Sequence, residues 1–503
     1  MSELNEQEKI RRESLIKLKE LGINAFPAEE FKTTTNSKEI KDNYLEKKNN
    51  FQNVSLAGRI MSRRIMGKAS FAELKDFKGR IQLYLNRDEI CEGEDKTMYN
   101  DVFKKHLDIG DIIGVEGRVF KTKVGETSVM VKKLKVLSKS IKPLPVVKTD
   151  SEGVTYDAFK DTELRYRQRS LDLIVNDGAW DVFEKRTKIF NSIRNRLNKE
   201  GYIEVETPIL QPIVGGAAAR PFITHHNTLD TPLYLRIANE LYLKRLIVGG
   251  KEGVYEFAKD FRNEGMDRTH NPEFTMLEFY VAYKDYNWMM GFVESLFEET
   301  VKSVHGKTKI DYNGKEIDFK GPYKRTPFFE AIKGATGDDI SKMTNEELGK
   351  YCKSKNIETS KSMGRGKLFD AVFAEFCEEK LIQPTYITDY PIEMSPLTKK
   401  HRSKKGLTER FELFINGKEI ANAYSEQNNP IEQRQSFEEQ MKLGKRGDDE
   451  AMVIDNEFLR ALEYGMPPTS GIGIGMDRLT MLLTNKKTIQ DVLFFPQMKP
   501  EKK

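Results

Sequence analysis

The stretch FRNEGMDRTHNPEF, residues 261–274, places two arginines and a histidine close to an aromatic ring. Gly265 and Pro272 interrupt any helical period within it, because glycine and proline break regular structure. A solvated helix would instead distribute Arg262 and Arg268 among acidic residues. The stretch therefore predicts a loop that is shaped around an anionic group.

Composition describes a globular chain of several domains. The 503 residues, 38% hydrophobic and 32% charged, suggest roughly two to four domains. No apolar run reaches the length of about 18 residues that a bilayer requires, and the N-terminus lacks the apolar core of a signal peptide. Cys91, Cys352 and Cys377 are far apart and form no CxxC pair, which argues against a disulfide framework and against structural zinc. We expect a soluble, cytoplasmic protein with no membrane contact.

The positive charge of the chain is regional. Residues 54–148 contain 20 lysines and arginines against 12 acidic residues, a balance of +8, which leaves −3 for the rest of the chain. A basic module attached to a larger body is typical of nucleic-acid binding. A solvated, lysine-rich surface explains the same balance equally well.

Residues 54–138 have the period of short β-strands. VSLAGRI is followed by SFAELKDFKGRIQLYL with a turn near Lys78-Gly79, and the segment 111–138 turns again at Val124-Gly125. The helix-compatible stretch DKTMYNDVFKKHL lies between the third and fourth strands. Five strands with one intervening helix predict an OB-fold barrel, whose face suits single-stranded nucleic acid.

The rest of the chain mixes strands and helices, so we expect an α+β multidomain protein. Between about residues 326 and 384 the pattern becomes mainly helical, which predicts an insertion in the larger domain. KPLPVVK, which begins at residue 142, is punctuated by prolines like an interdomain linker. The predicted parts are an N-terminal helical extension, 1–50; the barrel, 51–141; a linker, 142–160; and the larger domain, 161–503.

Three separated stretches of the larger domain resemble the three signature motifs of the class II aminoacyl-tRNA synthetases. They are GYIEVETPIL (201–210), the opening stretch extended to FTMLEFY (261–280), and GIGIGMDRLTMLL (471–483). Further segments, AGRIMSRRIMGKASFAELKD, GGAAARPFITHHNTLD and LTERFELFINGKEIANAYSE, are similar to the bacterial type of lysyl-tRNA synthetases. The motifs occur in the right order from residue 57 to residue 483. The class I signatures HIGH and KMSKS are absent.

The resemblance implies a class II catalytic domain, an antiparallel sheet flanked by helices that holds ATP, with the first motif at a homodimer interface. Arg262 would hold the α-phosphate and the substrate carboxylate as the catalytic residue, and Arg268 and His270 would steady the outer phosphates. Phe274 and Arg478 would lie on opposite faces of the adenine. The implied ATP-binding residues are Arg262, Glu264, Arg268, His270, Asn271, Phe274, Glu412, Glu419 and Arg478.

The resemblance also implies Mg²⁺ as the cofactor, at Glu412 and Glu419. These carboxylates are hard oxygen donors, as magnesium prefers. Seven residues apart, they can lie on the two arms of a hairpin that turns at Asn416-Gly417. Without the resemblance, a pair of solvated strand carboxylates is the simpler interpretation.

The implied amino-acid pocket is rich in carboxylates. Such an excess suits a substrate with two ammonium groups, whereas an aspartate pocket needs a cation for the side chain. One departure from the family is Asn239, where a proline is usual. The implied lysine-binding residues are Gly216, Glu240, Arg262, Glu278, Tyr280, Asn422 and Glu426.

In the barrel, the resemblance assigns anticodon contacts to four side chains. Phe71 would stack on a base and Gln82 would hydrogen-bond to one, with Arg63 and Glu126 as companions. Packing of Phe71 in the barrel core is the alternative, because strand alternation in the sequence does not decide its face.

The predicted function is ligation of L-lysine to tRNA(Lys), through a lysyl-adenylate made from ATP. Aspartyl or asparaginyl relatives share the fold, but Glu278 and Glu426 count against them. A truncated paralogue that attaches lysine-like groups to a protein would lack the barrel. A nucleic-acid-binding protein without catalysis would not need Arg262, Glu412, Glu419 and Arg478 together.

Overall fold

The computed structural model describes residues 4–48, 50–145, 148–149, 155–156, 159–217, 219–360, 363–444 and 452–501. The chain divides into two compact units, Met1–Lys160 and Asp161–Lys503. Much of the predicted linker, 142–160, lies outside the described residues. Within the described residues, no helix is both long and apolar enough to cross a membrane.

The first unit contains a closed five-stranded barrel, as the sequence predicts. Its strands follow the order β1-β2-β3-β5-β4, with β3 and β5 parallel and the other described pairs antiparallel. The strands are β1 (Val54–Met66), β2 (Ala69–Lys75), β3 (Arg80–Asn86), β4 (Ile112–Lys121) and β5 (Thr127–Ser138). Alternation along β2 and β3 buries every second side chain, because successive strand residues face opposite sides of a sheet.

The first unit also contains helices. The predicted helix between the third and fourth strands is present as a π-helix, Met98–His106, and it buries Tyr99, Val102 and Phe103 in the core. The other helices are α1 (Glu6–Glu20), α2 (Ser37–Asn43) and α3 (Arg87–Ile90). Helix α1 begins with a capping box between Asn5 and Glu8, which satisfies free amides of its first turn. A short ribbon follows, β6 (Lys148–Thr149) and β7 (Thr155–Tyr156).

The second unit is built on an eight-stranded sheet. Its order is β16-β17-β18-β19-β20-β13-β12-β8, and the pairings from β17 to β12 are antiparallel, whereas the outermost pair at each edge is parallel. The strands of this unit are β8 (Ile203–Glu204), β9 (Leu210–Gln211), β10 (Ile223–His226), β11 (Thr231–Leu235), β12 (Gly253–Phe261), β13 (Glu273–Ala282), β14 (Lys309–Tyr312), β15 (Lys315–Asp318), β16 (Lys324–Pro327), β17 (Thr385–Thr388), β18 (Arg410–Ile415), β19 (Lys418–Ser425) and β20 (Thr469–Gly475).

Helices flank this sheet, and the longest two, α6 and α8, pack over one of its faces through an apolar core. Three of the helices, α9 to α11, fall within the segment predicted as a helical insertion. The helices are α4 (Thr162–Arg167), α5 (Arg169–Val175), α6 (Ala179–Lys199), α7 (Glu240–Val248), α8 (Tyr286–His305), α9 (Phe328–Thr336), α10 (Asn345–Ser354), α11 (Arg365–Phe376), α12 (Pro430–Gly444), α13 (Asn456–Glu463) and α14 (Met476–Leu483).

Candidate active site

The glycine-alternating strand β20 forms the floor of the candidate site. Ile472 and Ile474 are buried in the core on one face of the sheet, while Gly471 and Gly473 lie on the other. A Cβ at Gly471 would lie 2.2 Å from both a carboxylate oxygen of Glu426 and the ring of Tyr280. The alternation therefore keeps this face free of side chains, so that neighbouring strands can place theirs over it.

Strand register aligns polar residues across this floor. Glu278 on β13 pairs with Gly473, Asn422 on β19 pairs with the same glycine, and Glu412 on β18 pairs with Asn422. Directly opposed residues of an antiparallel sheet share a face. Three residues from three different strands are thus brought into one row.

The three pocket glutamates are all buried. Glu278 accepts a hydrogen bond from the hydroxyl of Tyr280 at 2.8 Å, and Glu240 accepts one from Tyr424 at 2.6 Å. Burial raises the pKa of Glu278 well above its usual value, and the negative charges of Asp260 and Glu240 add to the shift. The pocket therefore favours ligands that bring positive charge.

Lys244 is a pocket residue that the sequence reasoning missed. Its ammonium group is fully buried, lies 2.5 Å from Glu240 and forms an ion pair with Glu426. A lysine four residues after a glutamate on α7 is the only sequence signal, and that spacing is common on solvated helices. The two partners come from segments 186 residues apart in sequence, so the contact depends on the tertiary fold.

Gly216 lies beside this cluster in the left-handed region, with φ of +88°. A Cβ there would come within 3.1 Å of Ala238 and 3.6 Å of Glu240. Both the backbone conformation and the close approach require glycine. The loop consequently brings main-chain groups close to Glu240.

A second buried network supports the pocket from β12. Arg236 pairs with Glu256 at 2.7 Å and with Asp260 at 3.2 Å, and Asn239 donates to Glu256 at 2.9 Å. Burial raises the pKa of Asp260 to about 6, despite the opposing charges of Arg236 and Arg262. Asn239, the departure from the usual proline, thus orders a buried carboxylate next to Glu240.

Arg262 and Phe274 lie together at the other end of β13. The guanidinium of Arg262 is 5.1 Å from the centre of the Phe274 ring, and its Nε is buried with no hydrogen-bond partner among the described residues. A buried donor without a partner is costly, so it is a candidate contact for an anion. Phe274 and Glu278 lie on the same strand four residues apart, which separates them by about 13 Å.

Arg478, at the start of α14, lies near the same end. It donates to the Glu419 carbonyl at 3.0 Å, and its other terminal nitrogen is 3.0 Å from the His270 ring. His270 in turn contacts Asp267 at 2.8 Å. The second and third motifs are therefore joined by side-chain contacts.

The remaining predicted ATP contacts line the loop before β13. Glu264 and Arg268 are exposed, and the Arg268 carbonyl accepts from the amide of Ile489 at 2.8 Å. Asn271 is buried and donates to the Glu273 carbonyl at 2.6 Å. The loop thus presents charged side chains outward from an anchored backbone.

Glu412 and Glu419 lie on the two arms of a hairpin, as predicted, whose turn residues Asn416 and Gly417 have φ of 50° and 69°. Arg410 contacts Glu412 at 2.6 Å. Burial raises the pKa of Glu412 to about 7, with Arg410 opposing the shift and the charge of Glu419 adding to it. This excess of carboxylate charge fits a divalent cation.

Protein groups alone do not complete a metal shell there. In the parts of the chain that the structure describes, no three His, Cys, Asp or Glu side chains are grouped to hold a metal ion. The three cysteines are free and buried. A cation at Glu412 and Glu419 would need further oxygen ligands, such as phosphates, and that requirement suits magnesium better than zinc.

Phe71 lies on the outer face of the barrel. Ser70 and Ala72, its neighbours on β2, are buried, whereas Phe71 is half-buried and outside the core. Its ring is 5.2 Å from that of Tyr84, which lies 5.9 Å from Phe120. Of this aromatic row, Phe71, Tyr84 and Phe120, the sequence predicts a role only for Phe71. The three rings meet through strand pairing, which the sequence does not show.

The other three side chains predicted to contact the anticodon differ in how much of their hydrogen-bonding capacity is already used within the protein. Gln82 accepts from the Ser128 hydroxyl at 2.8 Å, which leaves its amide nitrogen for other acceptors. Arg63 donates to the Phe103 carbonyl at 3.0 Å, so part of its guanidinium is already bound within the barrel unit. Glu126 is exposed, 3.9 Å from Lys41.

Comparison with known proteins gives consistent matches for both units. Residues 161–499 match the family of class II tRNA synthetases for D, K and N, and residues 54–137 match an OB-fold nucleic-acid-binding domain. A lysine–tRNA ligase of Christiangramia forsetii is 63% identical over all of this chain and 88% of its own length. Those of Porphyromonas gingivalis and Azobacteroides pseudotrichonymphae are 63% and 59% identical over 99% of this chain, and over 86% and 99% of their own lengths.

Proposed function

The chain belongs to the class II tRNA synthetases of the aspartate, lysine and asparagine group and catalyses lysine–tRNA ligation, and we propose that its buried glutamates select the lysine. The observation that carries this proposal is the charge of the pocket. Glu240, Glu278 and Glu426 are all buried, and Lys244 supplies a buried cation that contacts Glu240 and Glu426. Two ammonium groups of a bound lysine would balance the remaining charge.

In the proposed binding mode, the α-ammonium lies at Glu240 beside Gly216, and the ε-ammonium lies at Glu278 with Tyr280 and Glu426. Asn422 would contact the substrate from the neighbouring strand. The proximity of Glu426 and Tyr280 over Gly471 supports the second site. Charge-assisted hydrogen bonds at both ends would discriminate against neutral side chains.

In the proposed activation step, a carboxylate oxygen of lysine attacks the α-phosphorus of ATP. The bond to the bridging oxygen breaks and pyrophosphate leaves, which yields lysyl-adenylate. Arg262 would neutralise charge on the α-phosphate and the attacking carboxylate, so positioning and electrostatics contribute most of the acceleration. The terminal ribose hydroxyl of tRNA then attacks the adenylate carbonyl, and AMP leaves.

The nucleotide would lie across the ends of β13 and β20. Phe274 would stack on the adenine with Arg478 on the opposite face, while Arg268 and His270 would contact the outer phosphates. Glu264 and Asn271 would complete these contacts at the loop. The contacts among Arg478, His270 and Glu419 support a shared binding surface.

Glu412 and Glu419 would hold Mg²⁺ together with phosphate oxygens. When bound, the ion would neutralise phosphate charge and orient the pyrophosphate leaving group. The shifted pKa of Glu412, which burial raises to about 7, supports a site that is completed by a cation.

The barrel would bind the anticodon of tRNA(Lys) through its outer face. Phe71 would stack on a base and Gln82 would read one through its free amide, with Arg63 and Glu126 nearby. The basic balance of residues 54–148 supports attraction of the RNA backbone. This unit would thereby supply tRNA affinity, while the chemistry remains in the second unit.

We also propose a homodimer that acts in the cytoplasm. Around the first motif, apolar side chains remain exposed in the single chain: Ile203 by 42%, Ile209 by 43%, Leu210 by 48% and Ile223 by 68%. Exposed apolar patches are typical of protein interfaces. Light scattering should give twice the chain mass, whereas a monomer at assay concentration would contradict the dimer.

The metal proposal is tested by attachment of labelled lysine to tRNA(Lys) after chelation. Activity should disappear with EDTA and return with Mg²⁺, because the outer phosphates would otherwise remain unneutralised. A requirement for stoichiometric zinc in the presence of ample magnesium would overturn the assignment of Glu412 and Glu419.

A further inference from the structure

Lys244 connects two parts of the pocket that the chain supplies separately. Glu240 begins α7, whereas Glu426 follows β19, and the Lys244 ammonium contacts both. Its side chain is 0% exposed, so these contacts are shielded from bulk solvent. Tyr424 donates to the same Glu240 oxygen that Lys244 contacts.

The geometry points to a role in substrate discrimination: we propose that Lys244 is a positioning residue that fixes the separation between the carboxylates for the two substrate ammonium groups. This inference rests on the proposed lysine pocket. Glu240 lies beside Gly216, and Glu426 lies beside Tyr280. The Lys244 ammonium group contacts both carboxylates and so fixes their separation.

Charge balance supports this role. Without Lys244, three buried carboxylates would face one another with no neighbouring cation, and they would separate or bind protons. With Lys244, Glu240 and Glu426 are held on one ammonium group, while Glu278 accepts a hydrogen bond from the Tyr280 hydroxyl and makes no contact with Lys244 among the described residues. Glu278 thus remains available for a substrate ammonium group.

A fixed separation selects the length of the diamine. Ornithine carries the same two ammonium groups as lysine but is one methylene shorter, so it cannot reach both ends of a rigid pocket without strain. Without Lys244 the glutamates are no longer held at one separation, so they could adjust to the shorter substrate when it binds. The Lys244 cluster therefore favours lysine over ornithine beyond what charge alone provides.

The test is amino-acid-dependent exchange of pyrophosphate into ATP by Lys244→Met in the full chain. We expect the lysine KM to rise at least about tenfold, and the ratio of kcat/KM for lysine to that for ornithine to fall by a similar factor. The KM for ATP should change less than about twofold, because ATP contacts lie at the other end of β13.

Lys302→Met is the matched control. Lys302 also pairs with a glutamate four residues away on a helix, at 2.7 Å from Glu298, but it is exposed. Its removal should leave both KM values and the lysine-to-ornithine ratio unchanged. An unchanged ratio in folded Lys244→Met, even with a lower melting temperature, would overturn the proposal and leave Lys244 a stability residue.

Lys244→Met/Glu426→Gln is the second variant, because it removes one buried negative charge together with the cation. It should recover part of the lost melting temperature while the lysine-to-ornithine ratio stays low. Recovery of the ratio, or failure of both variants to fold, would overturn a role in selectivity. Absence of lysine-dependent exchange in the unmodified chain would instead contradict the proposed pocket itself.

Discussion

The amino-acid pocket and the outer face of the barrel recognise their proposed ligands with opposite kinds of surface. The pocket buries Glu240, Glu278 and Glu426 together with the Lys244 ammonium group, which contacts Glu240 and Glu426, and burial raises the pKa of Glu278. The barrel instead presents half-buried rings, Phe71 and Tyr84, beside polar side chains.

This difference determines how each region should respond to change. Buried charges interact strongly and tolerate no loss of a partner, so isosteric substitutions in the pocket should have large and specific effects. Stacking on exposed rings is additive and tolerant, so single changes on the barrel should weaken binding moderately. The following four experiments test that contrast.

Arg262→Ala should have the largest effect. Loss of a guanidinium that neutralises charge in the transition state should lower kcat for adenylate formation by about 10²–10³-fold, which is about 2.7–4 kcal/mol. Pyrophosphate exchange measures this directly. The control is Arg460→Gln, at an exposed arginine that pairs with Glu457. If Arg262→Ala lowers kcat by less than about fivefold, Arg262 does not stabilise the transition state.

Glu278→Gln keeps the shape of the side chain and removes its charge. A charge-assisted hydrogen bond contributes about 1.5–3 kcal/mol, so lysine activation should fall at least about tenfold while the KM for ATP changes little. Glu298→Gln, at a partly buried position of α8 that pairs with exposed Lys302, is the control. If the variant folds and its lysine KM and kcat match those of the original chain, Glu278 does not bind the substrate.

Phe71→Ala should act on tRNA alone. Loss of one stacking platform should weaken tRNA use by about 1–3 kcal/mol and leave lysyl-adenylate formation unchanged. Phe26→Ala, which removes an exposed ring outside the barrel strands, should change neither activity. Normal charging of tRNA by folded Phe71→Ala would make Phe71 a packing residue and break the contrast.

Asp260→Asn tests the cost of buried charge in the second unit. The folded pKa of about 6 exceeds the usual value of 3.8, so the folded state binds more protons than the unfolded state, and stability falls as pH rises from about 4 to about 6. Because Arg236 retains Glu256, the variant should unfold with a free energy higher by the order of 1 kcal/mol at pH 7.5.

The check is denaturation of both proteins at several pH values. Below about pH 3 the original carboxyl is protonated in both states, so the stability difference between the two proteins should disappear there. A variant that is less stable at pH 7.5 would mean that the Asp260 carboxylate stabilises the fold through Arg236.

Elements with a local period were predictable from the sequence. The strand alternation of residues 54–138 identifies the barrel, and Asn416-Gly417 identifies the hairpin that joins β18 and β19. Motif resemblance supplied the catalytic fold, since Glu240, Glu278 and Glu426 lie on separate segments. The glycine alternation of β20 is visible in the sequence, but its reason appears only in the structure. One face of the strand packs into the core, and Glu426 and Tyr280 lie over the other.

Contacts that depend on tertiary packing could not be predicted. The sequence could not show that Lys244 is buried between two glutamates, because a Glu-Lys pair four residues apart is usually solvated. The two parallel edges of the large sheet depend on which strands meet after long excursions of the chain. The face of Phe71 depends on barrel closure, since strand alternation alone leaves two choices.

The central claim is that the buried carboxylates make this enzyme selective for lysine. Exchange of pyrophosphate into ATP, measured with each of the twenty amino acids in turn, tests that claim most directly. We expect lysine alone to stimulate exchange, because among the twenty only lysine offers two ammonium groups at the spacing of the pocket. Stimulation by aspartate or asparagine, or by a neutral amino acid as strongly as by lysine, would contradict it.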